Sequence, residues 1–331
     1  MTPPLCLSLL PAETARQWQD DPRLCMALAF GIEGWHDHDC RRLQLPLPPL
    51  GDAPLEELWL AAQPMRPVWQ QEGLCCRAGG HLLHGCLWYD ERNHGGIEQA
   101  TRSAYRAIRQ ALDETGFGHL FRIWNFFPRI NEEERGLERY RAFCRGRHDA
   151  LDEWALDETR LPAATAIGSH GEGLLIHFLA ARSPGIQIEN PRQVSAYCYP
   201  EQYGPRSPTF SRATLMPWPD GSRQLFVSGT ASIVGHETRH AGDLEAQLDE
   251  TLANIRSLLA VARNEHGLPL GDLGDLDALR IYLRHSEDAQ RLQTLLARRV
   301  SETLPRVVVH ADICRADLLL EIEATWTGCA G

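Results

Sequence analysis

The chain has 331 residues, 43% hydrophobic and 23% charged, with a formal net charge of −11. That length fits one large domain or two ordinary ones, and no apolar run is long enough to cross a bilayer. The acidic balance argues against bulk binding to nucleic acid or an anionic membrane, so an anionic ligand would need a local cluster of cations.

The chain opens with "MTPPLCLSLLPAE", which has no basic stretch before its apolar residues. No signal peptide is expected, and a cytoplasmic protein is. Ten cysteines are scattered without a CxxC pair, and most are expected to be reduced, small buried residues. In "HDHDC", His36, His38 and Cys40 are all possible metal ligands. No second ligand cluster at a usual spacing accompanies them, so a polar loop and no metal are expected. Residues 1–75 are Pro-rich and are read as a segment packing on the rest of the chain.

An internal repeat follows. "IEQATRSAYRAIRQAL" (97–112) and "LEAQLDETLANIRSLL" (244–259) both have helical periodicity, with Ile97, Tyr105, Ile108 and Leu112 matching one face of the second. Before them come the β-rich runs "HLLHGCLWY" (81–89) and "QLFVSGTASIVG" (224–235). After them come the strand candidates "FRIWNFF" (121–127) and "LRIYLRH" (279–285). Polar helical stretches follow at 132–147 and 286–300, and each copy closes with two strands after a Leu-Pro. The order β, α, β, α, β, β predicts an α+β fold with helices on one face of each sheet. The domains are read as 1–75, 76–185 and 186–331. The segment 189–223, between the copies, is too rich in Tyr, Arg and Pro to be a simple linker.

Aligning the closing strands at Leu161-Pro162 and Leu304-Pro305 sets Glu321 opposite Phe178, Arg306 opposite Ala163 and Cys314 opposite Gly171. A slip of one place sets Glu321 opposite His177. Glu321 and Glu323 alternate with leucine and isoleucine, so they share a strand face. Either they form a solvated edge or one of them is a catalytic acid. The Gly-containing stretches 92–96 and 168–173 lack the strand–GxGxxG–helix context of a nucleotide site, and no serine-elbow triad is visible.

"SGTASI" before a long helix and the closing "LPRVVVHADICRADLLLEIEA" resemble a RidA/YjgF-type domain. In that family an arginine after the proline binds a substrate carboxylate, and the last strand carries a functional glutamate. The matching positions are Arg306 and Glu321. Over roughly residues 80–325 the chain resembles the chorismatases, carried by 122–147, 189–213, 226–238 and the closing strands. Its nearest branch is that of the 3-/4-hydroxybenzoate synthases of bacterial pigment pathways. The resemblance implies two tandem RidA-like domains, the first degenerate, in a monomer of pseudo-trimeric packing whose third place residues 1–75 help fill. It also implies chorismate as substrate, pyruvate as product, and no cofactor or metal. Gly229 and Cys314 fit the branch with aromatic products; a second branch, with alanine there, gives a dihydroxycyclohexadienoate.

Chorismate carries two carboxylates, so its site needs at least two fixed cations, and arginine offers bidentate geometry. The candidates are Arg306, Arg212, Arg147 and Arg206, with Tyr140, Tyr199 and Tyr203 beside them. Protonating the enol-ether methylene needs a carboxylic acid that keeps its proton near neutral pH, which burial can arrange. Glu321 is assigned that role, with Glu323 as rival, and Cys314 is placed near the ring. A RidA-like imine deaminase is the alternative reading. It would use Arg306 and Glu321 too, but needs no second anionic clamp.

Overall fold

The computed structural model describes residues 3–36, 40–51, 54–155 and 157–328, the side chains of residues 35 and 36 excepted. An N-terminal five-stranded sheet contains β1 (Leu5–Pro11), β2 (Leu24–Phe30), β3 (Trp35–His36), β4 (Arg42–Leu45) and β5 (Leu55–Ala61), with the one-turn helix α1 (Ala12–Ala15) after β1. The middle unit contains β6 (Arg66–Gln71), β7 (Leu74–Gly79), β8 (Leu82–Tyr89), helix α2 (Ile97–Thr115) and β9 (His119–Pro128). It continues with the ribbon β10 (Glu133–Glu134) and β11 (Leu137–Glu138), helix α3 (Arg139–Glu153), β12 (Ala163–Ser169) and β13 (Leu174–Ala181). The C-terminal unit contains β14 (Ile186–Ile188), β15 (Ala213–Pro217), β16 (Arg223–Thr230), the ribbon β17 (Ile233–Val234) and β18 (Glu237–Thr238), and helix α4 (Leu244–His266). It closes with β19 (Ala278–Leu283), helix α5 (Ala289–Ala297), β20 (Arg306–His310) and β21 (Leu320–Gly328).

The two six-stranded sheets have one topology. Their orders are β12-β9-β13-β8-β7-β6 and β20-β19-β21-β16-β15-β14. In each, the outermost pair, whose strands are joined through a helix (α3 or α5), is parallel and the other pairs are antiparallel. This is the α+β architecture expected from the repeat. The N-terminal sheet runs β4-β2-β5-β1 in the same senses, with β4 parallel to β2 and β5 antiparallel to both its neighbours. It is therefore a third, shortened copy of the pattern. The break expected at 75/76 is corrected: β7 spans it, and β6 already belongs to the middle sheet.

Strand alternation sorts the side chains into layers. The outer faces of the two larger sheets pack on α2 and α3, and on α4 and α5, as separate cores. The inner faces of all three sheets meet in a shared core that includes Met26, Trp59, Trp124, Leu179, Phe226 and Val309. At one end the chain after β4 joins the ends of β12 and β20. His170 N donates to Pro46 O and His310 N to Pro48 O, each at 2.8 Å, and Gly168 and Asp312 exchange two backbone bonds.

Several expectations need local correction. The stretch 132–147 is not one helix: Arg135 and Gly136 both take positive φ, so the chain turns in the ribbon β10–β11 before α3 begins at Arg139. Alternation also selects the slipped alignment of the closing strands. Phe178 faces the helical core, whereas Glu321 faces inward. His177 pairs with Trp124 across β9 as Glu321 pairs with Tyr282 across β19. In the "HDHDC" stretch, residues 37–39 and the side chain of His36 lie outside the described residues. Cys40 and Cys75 are paired as a disulfide and the other described cysteines form none, which is within the expectation that most are reduced.

Candidate active site

β21 places its apolar residues Leu320, Ile322, Ala324 and Trp326 on the helical side and both glutamates inward. Glu321 is 5% exposed and Glu323 is 6% exposed, so neither belongs to a solvated edge. Their surroundings then part. Glu323 receives Arg122 and Arg280 as ion pairs, the latter at 2.9 Å, with Thr165 Oγ1 donating at 2.7 Å and Trp124 Nε1 at 3.0 Å. Burial alone would raise its pKa, but Arg280 and Arg122, with these donors, outweigh burial and hold the carboxyl below its ordinary range. Arg280 also donates through Nε to Glu57 of β5 at 2.7 Å, so the ion-pair chain Glu57–Arg280–Glu323–Arg122 crosses all three sheets.

Glu321 has no such pair. It borders a cavity of about 330 Å³ between α3, β12, the 199–212 segment and the turn at 314–316. Burial, and then the charge of Glu323, raise its pKa to about 8, against the pull of Arg122 and Arg212. It is a carboxylic acid that keeps its proton at neutral pH. A bulge between Val227 and Thr230 brings Gly229 against it, and a Cβ at position 229 would overlap Glu321 Oε1. Gly229 therefore makes room for the acid itself.

The cavity walls supply cations and rings. Arg147 of α3 is 3% exposed, with Nε and Nη2 lacking protein partners. Arg212 is equally buried; its Nη2 donates to Val194 O and to Tyr199 Oη, both at 2.8 Å, and its Nε has no protein partner. Buried guanidinium groups without partners are costly unless a ligand completes them. Arg315 lies 4.0 Å from the centre of the Tyr203 ring, and its Nη1 donates to His236 O at 2.9 Å. Cys314 is pushed up to about 12 by burial and the neighbouring Glu321, so it stays a thiol. Tyr140 is raised well above its ordinary value, first by burial and then by Cys144 and Cys314, so it stays a phenol. The arrangement sets a buried carboxyl beside a cavity that Arg147, Arg212 and Arg315 also line. Among the described residues, no group of three potential ligands could hold a metal ion.

A family model described as "Chorismatase FkbO/Hyg5-like, N-terminal" matches residues 57–180. A "3-hydroxybenzoate synthase" of Streptomyces hygroscopicus is 44% identical over 236 residues, 69% of each chain. The chain belongs to the chorismatase FkbO/Hyg5-like family. A "Chorismatase" from the same organism is 40% identical over 276 residues, 82% of this chain and 79% of that one. A crystal structure of a chorismatase superposes with a TM-score of 0.88 at 34% identity, covering 97% of this chain and 98% of the other.

In this chorismatase-family chain, the cavity gathers Glu321, Cys314, Arg212, Arg147, Tyr140, Tyr199, Tyr203 and Gly229. Two sequence-derived candidates lie elsewhere. Arg306 begins β20, where Val307 and Val309 take the inner face, so it points the other way and donates to Ser301 O at 3.0 Å. Arg206 is exposed and does not line the cavity. Arg315 and Phe210 line it although the sequence reading did not single them out. The signal for Arg315 was its position next to Cys314 in the closing turn.

Proposed function

We propose that this protein cleaves chorismate to pyruvate and 3-hydroxybenzoate, with Glu321 as the general acid. The observation that carries the reading is a buried carboxyl without an ion-pair partner, facing a cavity with two under-bonded buried guanidinium groups. The family membership, and the name of one relative, point to the same substrate and product. Arg147 and Arg212 would each take one substrate carboxylate, and Tyr199 orients Arg212 through its hydroxyl.

The reaction begins when Glu321 gives its proton to the enol-ether methylene, making a methyl group and an oxocarbenium ion. The neighbouring ring hydroxyl then displaces the C3 oxygen, and that C–O bond's electrons form the carbonyl of pyruvate. The hydroxyl proton is lost as the arene oxide closes. Opening of the oxide with loss of a ring proton gives the aromatic product, and the Glu321 carboxylate recovers a proton. Substrate and products balance without added water or electrons, so the scheme needs no cofactor. The Cys314 thiol, which lines the same cavity, is assigned to the ring stage. Water attack on the oxocarbenium ion would instead give the ring diol, and opening the oxide in the other sense would give 4-hydroxybenzoate.

Every group in this scheme comes from one chain, which is expected to work as a monomer with its three sheets in pseudo-trimeric array. Incubation with chorismate, followed by chromatography, tests the proposal. Pyruvate with 3-hydroxybenzoate supports it; pyruvate with only the diol removes the aromatic branch; unconsumed chorismate refutes the reading. Ammonia release from an imine, with chorismate untouched, would favour the deaminase.

A further inference from the structure

Glu323 lies outside the proposed chemistry, yet it stands two residues from the acid on the same buried face. We propose that Glu323 is a positioning residue: a fixed, buried negative charge that holds the proton on Glu321, with Glu57 of the N-terminal sheet keeping that charge from being cancelled. The inference rests on the reading of Glu321 as the acid.

The charge count carries it. Arg122 and Arg280 face Glu323 and Glu57, two cations against two anions, all between 2% and 6% exposed. Arg280 divides its guanidinium between the two carboxylates, so it does not belong to Glu323 alone. This set is neutral while Glu321 is protonated. Ionising Glu321 would add a third buried anion with no cation of its own, one strand repeat from the second.

The other groups around Glu321 do not supply that cation. Tyr282 across β19, Tyr140 and Cys144 on α3 and Cys314 in the turn are all held neutral, chiefly by burial. Arg212 pulls in the opposite sense but is bonded to Val194 O and Tyr199. Arg147 and Arg315 line the cavity, and Arg141 at its rim is paired with Glu138. Substrate carboxylates on Arg147 and Arg212 would cancel their pull and leave Glu323 dominant when the proton is needed. The N-terminal sheet thus acts on the site through Glu57 and Arg280 without lining the cavity.

The test is the pH profile of chorismate turnover by the full chain. Turnover needs protonated Glu321, so it falls as pH rises through that group's pKa. Glu323→Gln removes the charge at nearly constant shape, and its basic limb should move down by about one pH unit or more. Turnover at pH 8 should fall about fivefold or more beyond any loss seen at pH 6. Glu323→Asp keeps the charge and should leave the limb near its original place. Glu57→Gln frees Arg280 for Glu323 and should also move the limb down, by less; it serves as the test if Glu323→Gln does not fold. A pH-independent loss, with the limb unmoved in both glutamine variants, overturns the proposal. Glu321→Gln separates the two claims. If it retains turnover, the reading of the acid itself falls; if it is inactive while the limbs stay fixed, only the role of Glu323 falls.

Discussion

The middle and C-terminal sheets share one strand order, yet their inner faces differ beside the cavity of the proposed site. On β13 the inward residue that pairs with Trp124 is His177, fully buried and stacked on that indole at 4.3 Å. Burial, and then His84, drive its pKa well below the ordinary value, so it is a neutral packing ring. On β21 the corresponding place is Glu321, opposite Tyr282 and beside a cavity. One backbone frame therefore builds a closed core in one copy and an acid in the other. The difference lies in a few inward side chains and in the bulge at Gly229 that makes space for one of them.

The strongest way to break this comparison is to remove the acid while keeping the frame. Glu321→Gln should lower pyruvate release by about 10²–10⁴-fold, the usual contribution of a placed general acid. A smaller loss would put the proton donor elsewhere. Next is the space beside it. Gly229→Ala forces Glu321 aside, and kcat should fall by up to about 10²-fold with a smaller change in KM, as expected for a misplaced catalytic group. A change in KM alone would return Gly229 to the role of making room for substrate.

The cations come next. Arg147→Met should raise KM by about 10–100-fold, the worth of a charge-assisted hydrogen bond, while the fold persists because two of its nitrogens have no protein partner to lose. Arg306→Met should leave KM unchanged, since that side chain faces away from the cavity; a large rise would restore the position suggested by the RidA resemblance.

The smallest effect concerns stability. Glu321 holds its proton to about pH 8 in the folded chain against an ordinary 4.5. Between those values the folded state binds a proton that the unfolded state has released, so stability falls as pH rises through the window. At pH 7, Glu321→Gln should therefore be more stable than the parent by up to about 3 kcal/mol. The gain should vanish near pH 4.5, as denaturant melts at the two pH values would show.

The repeat and its sheets were legible because helix spacing and the closing strand pairs survive in both copies. The third sheet was not, because its crossover helix α1 is a single turn, Ala12–Ala15, too short to leave a periodic signal. Alternation put Glu321 and Glu323 on one face but could not divide their roles. That division comes from Arg122 and Arg280, more than 150 residues apart in the chain and brought together by the packing of the middle sheet on the C-terminal one. Arg306 failed for the complementary reason: its place after a proline matched a family pattern, but the face of β20 on which it falls was fixed by Val307 and Val309.

The central claim is that Glu321 stays protonated at neutral pH. It is tested most directly by following the infrared absorption of protonated carboxyl groups against pH, as the difference between the parent chain and Glu321→Gln. The account predicts a protonated-acid band, absent from the variant, that disappears near pH 8. A difference band lost near pH 4–5 would show an ordinary carboxylate at that position and contradict the account.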